Sequence, residues 1–151
     1  MFKYTDNDKD ITLSEFKCFI EAINVDFTPS LLERIDVCDY YKKLTSFASI
    51  ITCREKGHII GFCAMYNNDY KNKIGYITLV GVIKEFRHKG IASNLLSCAK
   101  RIAKANGMNK IYIHTNNPIA KFCYLSVGFS IIEETYLEDY QLIRYLLEIN
   151  I

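Results

Sequence analysis

Between Leu79 and Ala92 the residue types and their spacing could do chemistry. An apolar run ends at Ile83, a polar connection Lys84-Glu85-Phe86-Arg87-His88-Lys89 follows, and Gly90-Ile91-Ala92 opens a helical pattern. The first backbone N–H groups of a helix have no intrahelical partner and point outward. With the helix dipole they form an anion site, and phosphate is its usual occupant. Gly90 lets the backbone approach the anion closely, Ala92 is too small to obstruct it, and Arg87, His88 and Lys89 add positive charge. The glycine pattern of a dinucleotide fingerprint and the Lys-Ser/Thr of a Walker loop are both absent. The same residues equally describe an ordinary strand-to-helix turn with solvated basic side chains, because short glycine motifs are weak signals.

The elements that would hold this segment can be read from periodicity. A short strand around Phe2 to Tyr4 leads the chain. Thr12-Leu13-Ser14-Glu15 is a capping box, followed by Leu13, Phe16, Phe19, Ile20 and Ile23 at helical spacing. Thr28-Pro29 opens a second helix that should bury Leu31, Leu32, Ile35, Cys38 and Leu44. Strands are expected over 47–52, 59–66 and 74–83, the last nearly all apolar, hence central and covered on both faces. A helix follows from Gly90 to about Asn106, stopped by Gly107. Lys110 to Thr115 is a strand, Asn117-Pro118 opens a helix ending at Gly128, and 129–136 with 141–149 form a hairpin. The order β-α-α-β-β-β-α-β-α-β-β predicts an α/β three-layer α/β/α fold around a mixed, mostly antiparallel sheet.

Composition narrows the classes. A chain of 151 residues that is 50% hydrophobic and 24% charged reads as a single globular domain over 1–151. The net charge of +2 comes without a Lys/Arg block, so nucleic acid is not an expected partner. No apolar run approaches the roughly 20 residues of a membrane span, and the N-terminus lacks the apolar stretch of a secretory signal. The six cysteines are scattered without a CxxC pair or clustered His, so neither a metal nor a disulfide frame is expected. Together these features predict a cytoplasmic protein. The apolar terminal strand Gln141 to Ile149 would be an edge liability unless covered, which predicts pairing there with a second copy.

Arg87-His88-Lys89-Gly90-Ile91-Ala92 matches the Arg/Gln-x-x-Gly-x-Gly/Ala signature of the GCN5-related N-acetyltransferases. Asn117-Pro118-Ile119-Ala120-Lys121-Phe122-Cys123-Tyr124, followed by Gly128-Phe129, resembles that family's second element, Asn-x-x-Ala-x-x-x-Tyr-x-x-x-Gly-Phe, with every spacing met. Val80-Gly81-Val82 stands where the family's central strand precedes its pyrophosphate loop, and the predicted element order is similar to the family fold along essentially the whole chain.

The resemblance implies acetyl-CoA as cosubstrate, without a metal. Its pantetheine arm would lie between splayed strands, here 74–83 and 110–115, bonded by backbone groups of Val80 and Val82 as an added strand would be. Backbone N–H groups from His88 to Ala92, through Lys89, Gly90 and Ile91, would hold the pyrophosphate beside Arg87. Asn117 would contact the pantetheine arm, although its type and position equally suit a helix N-cap. Tyr124 would be the general acid that protonates the leaving thiolate, whose conjugate acid has a pKa near 8.5. Many family members draw a basic Glu from the central strand, but Ile74-Gly75-Tyr76-Ile77-Thr78-Leu79-Val80 holds no carboxylate. His114 on the neighbouring strand is then the candidate base, with water relayed through Tyr66 or Thr78 as the alternative and Glu85 read as solvated charge.

The leading expectation is N-acetylation of a small-molecule primary amine such as an amino sugar or sugar nucleotide. A protein N-terminus or lysine is the second acceptor class, and a non-catalytic acyl-CoA-binding module is the reading from outside enzymology. Glu15, Asp26, Glu33, Asp36, Asp39, Glu133, Glu134, Glu138 and Asp139, with Tyr40 and Tyr41, are the groups the first helices and last hairpin offer an acceptor.

Overall fold

The structure, a computed structural model, describes residues 1–151. Strand β1 (Lys3–Asp6) leads into α1 (Leu13–Ile23), a 3-10 turn (Asn24–Asp26), α2 (Leu31–Arg34) and α3 (Val37–Phe47). Then come β2 (Ala48–Glu55), β3 (His58–Asp69), β4 (Ile74–Val82), a 3-10 turn (Lys84–Phe86) and α4 (Ile91–Ala105). The chain closes with β5 (Lys110–Thr115), α5 (Pro118–Ser126), β6 (Ser130–Leu137) and β7 (Leu142–Asn150). The strands form one seven-stranded sheet in the order β1-β2-β3-β4-β5-β7-β6. Every neighbouring pair is antiparallel except β4 and β5.

Two apolar cores lie on opposite faces of this sheet. Phe16, Phe19, Ile20 and Ile23 of α1, with Leu31 and Leu44, pack on Ile50, Ile59, Phe62, Ala64 and Leu79. Ile91, Leu95, Leu96, Ala99 and Ile102 of α4 pack on Ile51, Cys53, Ile60, Cys63, Met65 and Ile77. β4 is the fourth of the seven strands and serves both cores, as a near-continuous apolar strand must. An irregularity in register places Ile77 opposite Met65 and Leu79 opposite Ala64, so Thr78 is the extra residue and the strand changes faces there.

Two expectations need correction. The second helix is broken: α2 spans only Leu31–Arg34, Ile35 and Asp36 are extended, and α3 restarts at Val37. Asp36 is the cause, because its carboxylate accepts from the Asp39 N–H at 3.0 Å and caps a new helix instead of continuing the old one. The break turns Leu32 and Cys38 outward, while Leu31 and Leu44 are buried as expected. The second correction concerns the terminal strand. β7 lies between β5 and β6, so its ladder groups are paired on both sides and the edge belongs to β6. The reason given for a second copy at β7 is thereby removed. All six cysteines are free thiols, and no helix is long and apolar enough to cross a membrane.

Candidate functional site

The β4–β5 ladder starts at Ile74–Lys110 and stops at Ile77–Ile113, although β4 continues to Val82 and β5 to Thr115. Beyond that fork β4 has β3 on one side and open space on the other. The Ile83 N–H donates to Ile60 O at 2.9 Å. Because backbone groups alternate in direction along a strand, those of Val82 and Val80 then face away from β3. Arg87 Nε donates to Val82 O at 3.0 Å, which requires the same direction. The gap is the floor of a cleft of about 580 Å³.

One end of the cleft is the start of α4. Helices α1, α3 and α5 are capped by Thr12, Asp36 and Asn117, whereas α4 begins at Gly90 with no side-chain cap. In the preceding turn Phe86 N–H and Arg87 N–H are satisfied by Ile83 O and Lys84 O. His88, Lys89 and Gly90 N–H form no hydrogen bond within the chain. His88 (φ 63°) and Gly90 (φ 80°) are left-handed, and such turns gather N–H groups into an anion-binding concavity. Arg87, His88, Gly90, Ile91 and Ala92 border the cleft; Lys89 does not. A Cβ at Gly90 would touch nothing within 4 Å, so glycine is needed there for its φ and not for space.

α5 supplies a second wall. Asn117 Oδ1 accepts from the N–H groups of Ile119 at 2.9 Å and Ala120 at 3.3 Å, so its capping role is filled. Its Nδ2 donates to Asp26 O at 3.5 Å, and Asn116 Nδ2 donates to Thr28 O at 2.7 Å. These two bonds fasten the Asp26-to-Thr28 segment to the start of α5. Asp26 also pairs with Arg87. Tyr124 lies deeper in the cleft, 7% exposed, its ring 6.0 Å from Phe129. Its hydroxyl makes no hydrogen bond within the chain, and burial, with Cys123 and Cys63 nearby, pushes its pKa well above the ordinary value. It stays a phenol at neutral pH.

At the fork itself, Tyr76 of β4 and His114 of β5 meet, phenol oxygen to Nδ1 at 2.7 Å. The His114 ring edge reaches solvent, yet partial burial and the Arg144 guanidinium lower its pKa below 6.5, with Glu133 opposing. Of the suggested relay groups, Thr78 borders the cleft but is bonded to the Tyr40 hydroxyl at 2.9 Å, whose own pKa burial raises to about 12. Tyr66 and Glu85 do not border the cleft.

Of the acidic groups named from the sequence, only Asp26 lines the cleft. Glu15 belongs to a capping box and pairs with Arg54, and Asp36 caps α3. The cleft residues that escaped sequence reasoning include Tyr76, Arg34 and Arg144. Tyr76 was visible as a polar interruption in an apolar strand. The two arginines carry no local signal, since an isolated exposed arginine reads as surface.

A model of the acetyltransferase (GNAT) family matches residues 13–129. GCN5-related N-acetyltransferase 6, chloroplastic, of Arabidopsis thaliana is 36% identical over 89 residues, 58% of this chain and 31% of that protein. The chain spans about a third to a half of the length of the curated relatives it matches. An aminoglycoside 6'-N-acetyltransferase complexed with coenzyme A shares the fold at a TM-score of 0.80 and 10% identity, over 98% of this chain and 96% of that one. The ribosomal-protein-S18-alanine N-acetyltransferase of Escherichia coli does so at 0.80 and 11%, over 100% and 94%.

Proposed function

The chain belongs to the acetyltransferase (GNAT) family, and on that premise we propose that it transfers acetyl from acetyl-CoA directly to a primary amine of a small-molecule acceptor. The observation that carries this reading is one continuous cleft, running from a β4 edge at Val80 and Val82 that no neighbouring strand pairs to an uncapped helix start at Gly90, with a buried phenol in its lining. A pantetheine arm needs the first, a pyrophosphate the second and a thiolate leaving group the third. The coenzyme A bound by the structurally similar aminoglycoside enzyme supports the same donor.

Acetyl-CoA supplies an activated acyl carbon and a thiol leaving group. Val80 and Val82 hold the arm through backbone groups. The N–H groups of His88 to Ala92 hold the diphosphate, and Arg87, tied to Val82 O and Asp26, braces that loop. Tyr124 gives its proton to the departing sulfur. His114, kept neutral by its lowered pKa, accepts through Nδ1 the proton that Tyr76 releases as the Tyr76 oxygen takes one from the amine. The two transfers leave the acceptor acetylated and neutral at nitrogen, the sulfur protonated, Tyr124 a phenolate and His114 cationic, until Tyr124 takes up a proton and His114 releases one through solvent.

Calorimetric titration with acetyl-CoA, CoA and ATP, followed by thiol release on an amine panel, tests the reading. Micromolar acetyl-CoA binding with ATP much weaker, and turnover that Tyr124→Phe removes, is expected. Absent acetyl-CoA binding would sink the donor assignment. Tight binding without turnover on any amine would leave a non-catalytic module instead.

A further inference from the structure

We infer that the acceptor carries an anionic group, a carboxylate or a phosphate, which Arg34 and Arg144 hold while its amine faces Tyr76. This inference rests on the function proposed above and deepens it. The cleft lining holds three arginines, Arg34, Arg87 and Arg144, against a single carboxylate, Asp26. Asp26 and Arg87 neutralise each other in an ion pair. The chain's other four ion pairs use Arg54, Arg101 and Lys110, so Arg34 and Arg144 stand in the cleft without a carboxylate of their own.

Neither belongs to the diphosphate loop, which follows Val82. Arg34 ends α2, lies 5.6 Å over the Phe27 ring and stands near Tyr40, whose pKa burial raises with the guanidinium opposing weakly. Tyr40 in turn bonds Thr78, the first β4 residue past the fork. Arg144 projects from β7 near Tyr76 and His114: burial raises the Tyr76 pKa with the guanidinium opposing, and burial and then the guanidinium lower that of His114. One cation therefore flanks the fork from the helical side and the other from the β7 side. A cationic acceptor would meet net positive charge here. An amine attached to an anion would be oriented by it, since guanidinium groups bind carboxylate and phosphate through paired N–H donors.

The test uses matched primary amines with acetyl-CoA: glucosamine against glucosamine 6-phosphate, and L-phenylalanine against its amide. The expected result is a kcat/KM at least about tenfold higher for one anionic member than for its neutral partner, the size of one charge-assisted contact. Arg34→Gln and Arg144→Gln should each cut that ratio toward one. Preference for the phosphate pair alone or the carboxylate pair alone identifies the group. If neither pair is acetylated, the same four compounds are titrated into CoA-saturated protein, where the anionic member should bind at least tenfold tighter and lose that advantage in both variants. A ratio near one in wild type, a preference for the neutral or cationic form, or a ratio unmoved by both substitutions would overturn the inference. Acetyl-CoA affinity, measured on all three proteins, separates this outcome from failure of the donor assignment.

Discussion

Tyr76 and His114 touch across the only parallel strand pair of the sheet, phenol oxygen 2.7 Å from Nδ1, one residue on either side of the point where that pair parts. The contact puts a titratable group at the fork and fixes how it responds to pH. The pKa of His114 is lowered, by burial first and Arg144 second. A lowered histidine is neutral above its own pKa and charges only as pH falls through it, below 6.5. kcat/KM should therefore be flat down to about pH 6.5 and fall on the acid side. His114→Gln should cost about a hundredfold and abolish that acid limb, and Tyr76→Phe should cost a similar factor. An unchanged limb in His114→Gln would assign it to another group.

Tyr124 is expected to behave in the opposite sense. Its phenol is pushed up by burial, so it remains a proton donor across the neutral range. Tyr124→Phe keeps the ring against Phe129 and removes only the proton. Turnover should drop by about a hundredfold or more while the acetyl-CoA dissociation constant stays within about threefold. Binding and turnover falling together would mean that the hydroxyl holds the donor and does not act on the leaving group.

Cys123 also borders the cleft, and its pKa is raised by burial, which leaves the thiol protonated. A protonated thiol is a poor nucleophile. Cys123→Ser should therefore retain a single-step kinetic pattern with both substrates bound together, and mass spectrometry of protein quenched with acetyl-CoA should find no acetylated cysteine. A stable acetyl adduct lost in Cys123→Ser would replace direct transfer with a covalent intermediate.

How much of this was legible in the sequence depends on how local the signal was. The Arg87-to-Ala92 turn and the Asn117 start of α5 are local, because an uncapped glycine start and an Asn-Pro cap are set by residues within one turn of each other. β5 was bounded correctly at Lys110 and Thr115 for the same reason. The break after Arg34 is also local, but the Asp36 cap competes with an apolar periodicity that runs past it and masks it. The position of β7 inside the sheet was not local at all. A hairpin has two ways to join a sheet, and only tertiary pairing with β5 decides which strand becomes the edge. That choice also brings Arg144 to the fork. No charge pattern within one segment marks it, and of the acidic groups the sequence offers, Glu15, Asp26 and Asp36 serve the fold as cap or ion-pair partners.

The last prediction concerns the seat of α4. Gly61 of β3 faces this helix, and a Cβ there would come within 2.8 Å of Ile91 Cγ2 and 3.2 Å of Leu95 Cδ1. Ile91 is the first residue of α4 and is fully packed, with only 2% of its surface exposed, so it has little room to yield. Relief requires the first turn of the helix to lift from the sheet, and that turn carries the free N–H groups beside Gly90. Overpacking of this kind costs about 1 to 3 kcal/mol. Gly61→Ala should lower the melting temperature and weaken acetyl-CoA binding, although Gly61 does not border the cleft. Gly90→Val offers the contrast. Its Cβ meets nothing, so its cost is the left-handed φ of 80°, and it should abolish binding with a smaller loss of stability than the binding loss would suggest. Calorimetry and thermal denaturation on the two variants separate the cases. If Gly61→Ala destabilises the protein without touching affinity, α4 yields elsewhere and its start is held by the loop, not by the strand beneath it.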